Sequence, residues 1–419
     1  MIGRKKLSKK EGGKPLKNRL SILFLTRDFR SLLMVNVLMS TLAAMMIPIF
    51  PIWLLEEVGS SVSFVMFIVS ILGIGSIVLN MVIGHVSDKL GKRKIFLQLQ
   101  LILSAVRGIL YAFFPYVPVI ILASWVTQIS AGSIPMAILK DKIRDHRKEA
   151  YQGFITSSVR LGVSLGYGIG PFLGVMIYQL TSFHMFFLIY AALYFALSFF
   201  VQMTISDNKK VEATAKSKKL RSNQTRRRNV LLTVSSVALV VSMFFGHTAF
   251  PTLITLYVND SFNPAYLGAV FAVGPISELF IFPLVGYLSD KYGNKKLLVS
   301  GAFVQTLFFL AMGLSNSIVV IIALQAISAF YVGVMFITLL LYIQDSFEDR
   351  EGFSSSLYFS SLNLATIGST ALVGVLLLNV TFQQAFLLLS LFPFLSVFLI
   401  LYLDKGQGDA VNEPNKQAE

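Results

Sequence analysis

Gly84-His85-Val86-Ser87-Asp88-Lys89-Leu90-Gly91-Lys92-Arg93-Lys94 returns later in the chain as Gly286-Tyr287-Leu288-Ser289-Asp290-Lys291-Tyr292-Gly293-Asn294-Lys295-Lys296. The two glycines, the aspartate and the basic end keep their places at a constant offset of 202 residues, Gly84 to Gly286 and Asp88 to Asp290. Each copy follows one long apolar run and precedes another. A shorter echo, Gln152-Gly153-Phe154 against Glu351-Gly352-Phe353, again precedes an apolar run in each half. The chain therefore reads as a duplicated unit with the same loop marked twice. Gly84 and Gly286 would let a neighbouring helix come close, and Gly91 and Gly293 would permit a tight turn. Asp88 can hold a helix N-terminus and pair with a base. The plainer reading of both stretches is a basic loop with a turn.

The runs on either side set the solvent. Of 419 residues, 55% are hydrophobic and only 14% charged, with mean hydropathy +0.71. An average soluble domain carries about 25% charged residues. A water-soluble fold could not hide this much apolar surface, whereas lipid can take the place of a polar exterior. A membrane helix needs about 20 mostly apolar residues. The pattern predicts spans at 31–54, 62–86, 94–114, 117–139, 152–178 and 183–204, then 230–257, 265–288, 296–313, 317–343, 353–378 and 383–403. The expected fold class is all-α integral membrane, twelve transmembrane helices in two pseudo-symmetric bundles of six, 31–204 and 230–403. Residues 1–30 and 404–419 read as cytoplasmic tails, and 205–229 as a basic linker that can touch anionic lipid. Two parallel copies suit a transporter that rocks one half against the other around a midplane site.

Charge orients this topology. Placed on it, 34 of the 36 Lys and Arg fall on one side in tails, linker and loops, and none falls in the loops of the other side. Positive residues stay cytoplasmic, so both termini are expected inside. A register error of one helix would have mixed the sides. The net charge of +15 is spread over short loops between apolar runs, which argues against a nucleic-acid partner. The basic start of the chain lacks an apolar core with a cleavage site, so it reads as a tail and not as a signal peptide. With no cysteine, disulfides and thiolate chemistry are excluded. His85, His146, His184 and His247 stand on separate segments, in no metal-ligand spacing. No cofactor is implied. No converging nucleophile, base or metal set points to an enzyme, and no long signalling domain points to a sensor.

Ionisable and amide groups inside the spans are the candidates for chemistry. A charge at the bilayer centre costs roughly 2.5–3.5 kcal/mol, so each demands a reason. Glu278, the one acid in a helix interior, shares a stripe with Gly274 and Gly286 and should face protein or cavity. It reads as a proton carrier or substrate acceptor, or as a structural acid paired with a base. Arg160 points away from the glycines of its helix, towards a cavity or a structural pair. Arg107 lies on a peripheral helix near its outer end and is expected to snorkel outward. Asn36, Asn80, Gln128, His247, Gln325 and Asn363 could bind hydroxyl groups or join helices. Trp125 could stack on a sugar ring or pack. Trp53 is expected in an outer interfacial belt.

Helix 5 carries Gly162, Gly166, Gly170 and Gly174, each four apart, with Pro171 after the third. They form one stripe, a smooth seam for a close helix neighbour. The doubled loop resembles the signature loop of the major facilitator superfamily over nearly the whole chain. That resemblance implies a cytoplasmic latch at Asp88, Arg93 and Asp290. The glycine run with Pro171 resembles the antiporter motif of exporters in that superfamily, with Ser157 and Val175 where the motif has glycines. The helix-4 arginine of proton-coupled drug exporters is replaced by Trp125, three residues before Gln128. Ser133-Ile134-Pro135, Ser157-Ser158-Val159-Arg160, Ile169-Gly170-Pro171, Glu278, Gly286-Tyr287, Gln325 and Gln344-Asp345 together resemble the bacterial sugar efflux branch. The resemblance implies proton-driven export of sugars or glycosides across the bacterial inner membrane, with Glu278 and Arg160 in coupling. Export of lipophilic drugs is the alternative, and a non-transporting sensor a remote one. The partners implied are a small-molecule substrate, protons and lipid, for a monomer.

Overall fold

The computed structural model describes residues 27–75, 93–127, 152–205, 226–347 and 351–412, together with the backbone alone at some helix ends. Gly84, Asp88 and Gly91, along with Asn80, Gln128 and most of the linker, lie outside the described residues, as do the side chains of Arg93 and Arg160. In chain order the helices are α1 Arg27–Glu56, α2 Val62–Gly75, α3 Arg93–Phe113, α4 Val117–Thr127, α5 Gln152–Leu180 and α6 Phe183–Thr204. The second half has α7 Arg226–Ser261, α8 Leu267–Tyr292, α9 Asn294–Leu314, α10 Ile318–Ser346, α11 Glu351–Leu376 and α12, which runs from Phe382 to Leu389 and on from Leu391 to Asn412. Ten of these are long and apolar enough to cross a membrane; α2 and α4 are described only over shorter apolar stretches. The fold is all-helical, in two six-helix halves.

Lipid is as apolar as leucine, so helices associate here by close packing and polar contacts between them. In the first half α1 lies against α5, and α3 against α6. In the second, α7 lies against α11, and α9 against α12, which repeats the arrangement. Aromatic rings fill both interiors. Trp53 stacks on Tyr111 at 5.0 Å and meets Phe187 edge-on at 4.8 Å. Phe250, Phe308, Phe309 and Phe386 do the same in the second half. Trp53 is 1% exposed, so it belongs to the core and not to an interfacial belt. The ring partners on α3 and α6 outcompete the headgroup region for it. Phe280 and Phe199, at 75% and 66% exposure, are typical of the outward face left for lipid.

Several helices depart from simple continuity for identifiable reasons. α12 steps at Ser390, where Pro393 has no N–H to give and its ring crowds the carbonyl of Leu389. α10 widens into a π-helical stretch, Val334–Leu339. There the Tyr358 hydroxyl of α11 donates to the Met335 carbonyl at 2.8 Å. The second copy of the repeated stretch is helical as far as Tyr292. The chain turns at Gly293, whose φ of 84° is the left-handed region that glycine adopts without strain. Gly286 does not serve a close helix approach, since a Cβ there would meet nothing within 4 Å.

Among the described residues the halves meet along three lines. α5 runs against α8, α2 against α11, and α1 against α7. The first two are equivalent under the pseudo-two-fold that relates the repeats. Along α5/α8, Phe172 packs on Gly268 and Gly168 faces Ile276. Along α2/α11, Ser70 donates to the Ile367 carbonyl at 2.9 Å, and Gly374 sits over the carbonyl of Ser63. At the end of the bundle that carries residues 57–61, Glu56 of α1 accepts from Asn259 of α7 at 3.4 Å and from Tyr178 of α5 at 3.2 Å.

Candidate functional site

Glu278 sits midway along α8, the helix of the second half that faces α5 of the first. Its Oε2 accepts a hydrogen bond from the Ser164 hydroxyl at 2.7 Å. The carboxyl group is thus held at the contact between the two halves. Tyr331 of α10, itself buried, lies within electrostatic reach of the same carboxyl. Gly274, one turn earlier on α8, meets Ser328 and the Gln325 carbonyl, which brings α10 close. Arg160 stands one turn before Ser164 on α5. Ser164 gave no signal in the sequence, as one serine among many on a glycine-rich helix.

Tyr331 also touches His247 of α7. Their rings meet edge-on at 6.0 Å, and Phe244 and Phe336 approach the imidazole at 6.3 Å each. Phe336 belongs to the π-helical stretch, so that irregularity helps to bring a ring towards α7. π-helical turns recur at functional sites because they re-aim side chains within a helix. Tyr331 therefore lies near both Glu278 and His247 in the second half.

The other sequence-derived candidates are more scattered. Asn36 of α1 is buried beside Gly162 of α5. Trp125 of α4 spends its indole N–H on the Ile71 carbonyl of α2 at 3.0 Å, with its ring over Gly75. Gln325 is buried and donates to the Ile321 carbonyl of its own helix at 3.1 Å. Asn363 is half-buried on α11. Gly162, Gly166, Gly170 and Gly174 all face α1, with Pro171 beside them inside the helix. A Cβ at Gly170 would fall 2.3 Å from the Thr41 carbonyl oxygen. Asp290 is exposed at the end of α8. The contact from this turn to α10 is made by Asn294, which donates to Asp345 at 3.1 Å.

Arg107 overturns its expectation. Its guanidinium does not snorkel but turns into the first half, donating to Thr127 of α4 at 2.9 Å and to the Tyr190 hydroxyl of α6. Its Nε is buried without a hydrogen-bond partner. The hydroxyls of α4 and α6 offered nearer acceptors than the membrane surface. The repeat pairs Arg107 with Phe309 at the offset of 202, so the second half fills this position with an apolar ring.

Two apolar six-helix halves meeting beside a mid-helix carboxyl fit a polytopic membrane transporter. The chain belongs to the Major Facilitator Superfamily, whose family model matches residues 32–278 and 238–419. Its relatives include the quinolone resistance protein NorA of Staphylococcus aureus (strain Mu50 / ATCC 700699), 24% identical over 305 residues, covering 71% of this chain and 73% of NorA. They also include sugar efflux transporter A of Dickeya chrysanthemi, 24% identical over 317 residues, covering 74% of this chain and 79% of the relative. Among solved structures, the nucleoside transporter NupG superposes with a TM-score of 0.71 at 13% identity, over 90% of this chain and 98% of that one. That likeness is one of fold.

Proposed function

We propose that this protein is a proton-coupled exporter of sugars or glycosides, working by alternating access in the bacterial inner membrane with both termini cytoplasmic. It acts as a monomeric carrier and not as an enzyme. The observation that carries the reading is the position of Glu278, an acid at mid-helix held at the contact between the halves. An acid there can exchange its proton only as the halves open to one side or the other, which is what coupling requires. Asn36, His247, Gln325 and Asn363 are the candidate polar groups for a hydroxylated substrate, with Trp125 and Gln128 from the fourth span. Arg160 is the basic partner in coupling. The signature stretches with Gly84, Asp88, Gly91 and Arg93, and with Gly286, Asp290 and Gly293, act as cytoplasmic latches. The name of sugar efflux transporter A supports the substrate class and the direction.

A second reading, export of lipophilic compounds in exchange for protons, is favoured by one feature. His247 is flanked by the rings of Phe244, Tyr331 and Phe336, an aromatic setting suited to flat apolar molecules. The name of NorA supports it. Purified protein in liposomes separates the two. Proton movement on adding lactose or a thiogalactoside is expected for wild type and is abolished in Glu278→Gln, with the variant still folded. A response to a lipophilic cation and none to sugars would install the second reading. Full coupled export by Glu278→Gln would remove Glu278 from the mechanism.

A further inference from the structure

We infer that Ser164 is a positioning residue, beside Arg160 on the same helix, through which the proton on Glu278 is made to sense the arrangement of the two halves; the inference rests on the coupling reading above. A proton can shift a conformational equilibrium only as far as it binds the two conformers differently. Glu278 must therefore have different surroundings when the halves rock. Neighbours within its own half cannot supply that difference. Tyr331, Gly274 and the rest of α8 and α10 belong to the same half as Glu278 and travel with it. Ser164 belongs to the other half, on α5, and its hydroxyl reaches the carboxylate at 2.7 Å.

The chemistry of this contact is directional. A serine hydroxyl donates to a charged carboxylate, and a hydrogen bond to an ionised group is about twice as strong as one between neutral groups. Rocking α5 away from α8 withdraws the donor, so the conformer with the contact and the conformer without it bind the proton differently. Among the described residues Glu278 meets Ser164 from α5 and lies within electrostatic reach of Tyr331 from α10, and Arg160 is the charged residue one turn back along α5. The surroundings on α5 leave the serine well placed for the task. Gly168 lets α8 approach, with Ile276 at 3.3 Å from where its Cβ would be, and Gly162 and Gly166 keep α5 against α1 on its opposite side.

The chain has no cysteine, so paired spin labels can be attached at Gln179→Cys and Ser261→Cys, on α5 and at the end of α7 before α8. Distances in the full-length protein in lipid are measured from acid to neutral pH. Wild type is expected to shift between two distance populations with pH, and Glu278→Gln to lose that shift. Ser164→Ala is expected to reduce the pH-driven shift in the population ratio roughly tenfold, the size set by one hydrogen bond to a charged group. Ser164→Thr keeps a hydroxyl and is expected to restore it. A pH response surviving in Glu278→Gln would overturn the coupling reading itself. A response lost in Glu278→Gln but intact in Ser164→Ala would overturn the role of Ser164 and leave Glu278 standing.

Discussion

Arg107 sets opposing terms of known size against one another. Its two hydrogen bonds between helices are worth about 0.6 kcal/mol each in a membrane protein. A charge in a membrane helix costs at most roughly 2.5–3.5 kcal/mol, the value at the centre. The buried Nε without a partner adds to that cost. Arg107→Leu is therefore expected to leave thermal stability in detergent unchanged or higher, and a loss of stability would show that the hydroxyl contacts outweigh the charge. Phe309, at the equivalent place, shows that an apolar side chain fills such a position. The sequence marked Arg107 as anomalous but could not say where it points. Direction depends on which way α3 is turned and on which neighbours offer acceptors, here Thr127 and Tyr190. Trp53 was misplaced for the same reason. Residue type alone suits an interface, and only the rings of Tyr111 and Phe187 make it core.

At the scale of one helix, the glycine seam of α5 makes graded predictions. Built Cβ atoms would lie 2.3 Å from the Thr41 carbonyl at Gly170, 2.5 Å from the Met45 carbonyl at Gly174, and 2.5 Å from the Ser40 Cβ at Gly166. At Gly162 the nearest atom is the Asn36 amide nitrogen at 2.9 Å, the end of a side chain that can move. Alanine is thus expected to be most damaging at Gly170 and least at Gly162, read as the yield of folded protein in membranes. Equal effects at all four sites would contradict close packing on α1 as their purpose. The spacing of four made this seam legible in the sequence, since period alone puts the glycines on one face. The π-helical stretch in α10 was not legible. Val334-Met335-Phe336-Ile337-Thr338-Leu339 has the composition of any buried helix, and nothing in it signals the carbonyl that Tyr358 satisfies from another helix.

At the scale of the molecule, the two-fold repeat and the long apolar runs carried almost all of the fold class. Both are statistical properties of long segments and do not depend on single contacts. The site was legible only in part. Glu278 stood out because an acid is rare in lipid, whereas Ser164 is ordinary in composition and matters only through its partner on α8. The repeat also yields a prediction about motion. Labels at Ser61→Cys and Asn379→Cys span α2/α11, as those at Gln179→Cys and Ser261→Cys span the end of α5/α8. The pH-driven change is expected to be larger across the second pair. Equal changes would mean that both seams respond alike.

The two seams differ in what they are made of. Ser70 on the Ile367 carbonyl is a neutral contact to backbone, indifferent to protons. Ser164 on Glu278 is a contact to a group that can be charged or neutral. On the coupling proposed above, a symmetric frame would carry a bolt on one side alone, and a molecule so fitted would swing like a door where its repeat alone would have it part like a pair of shutters.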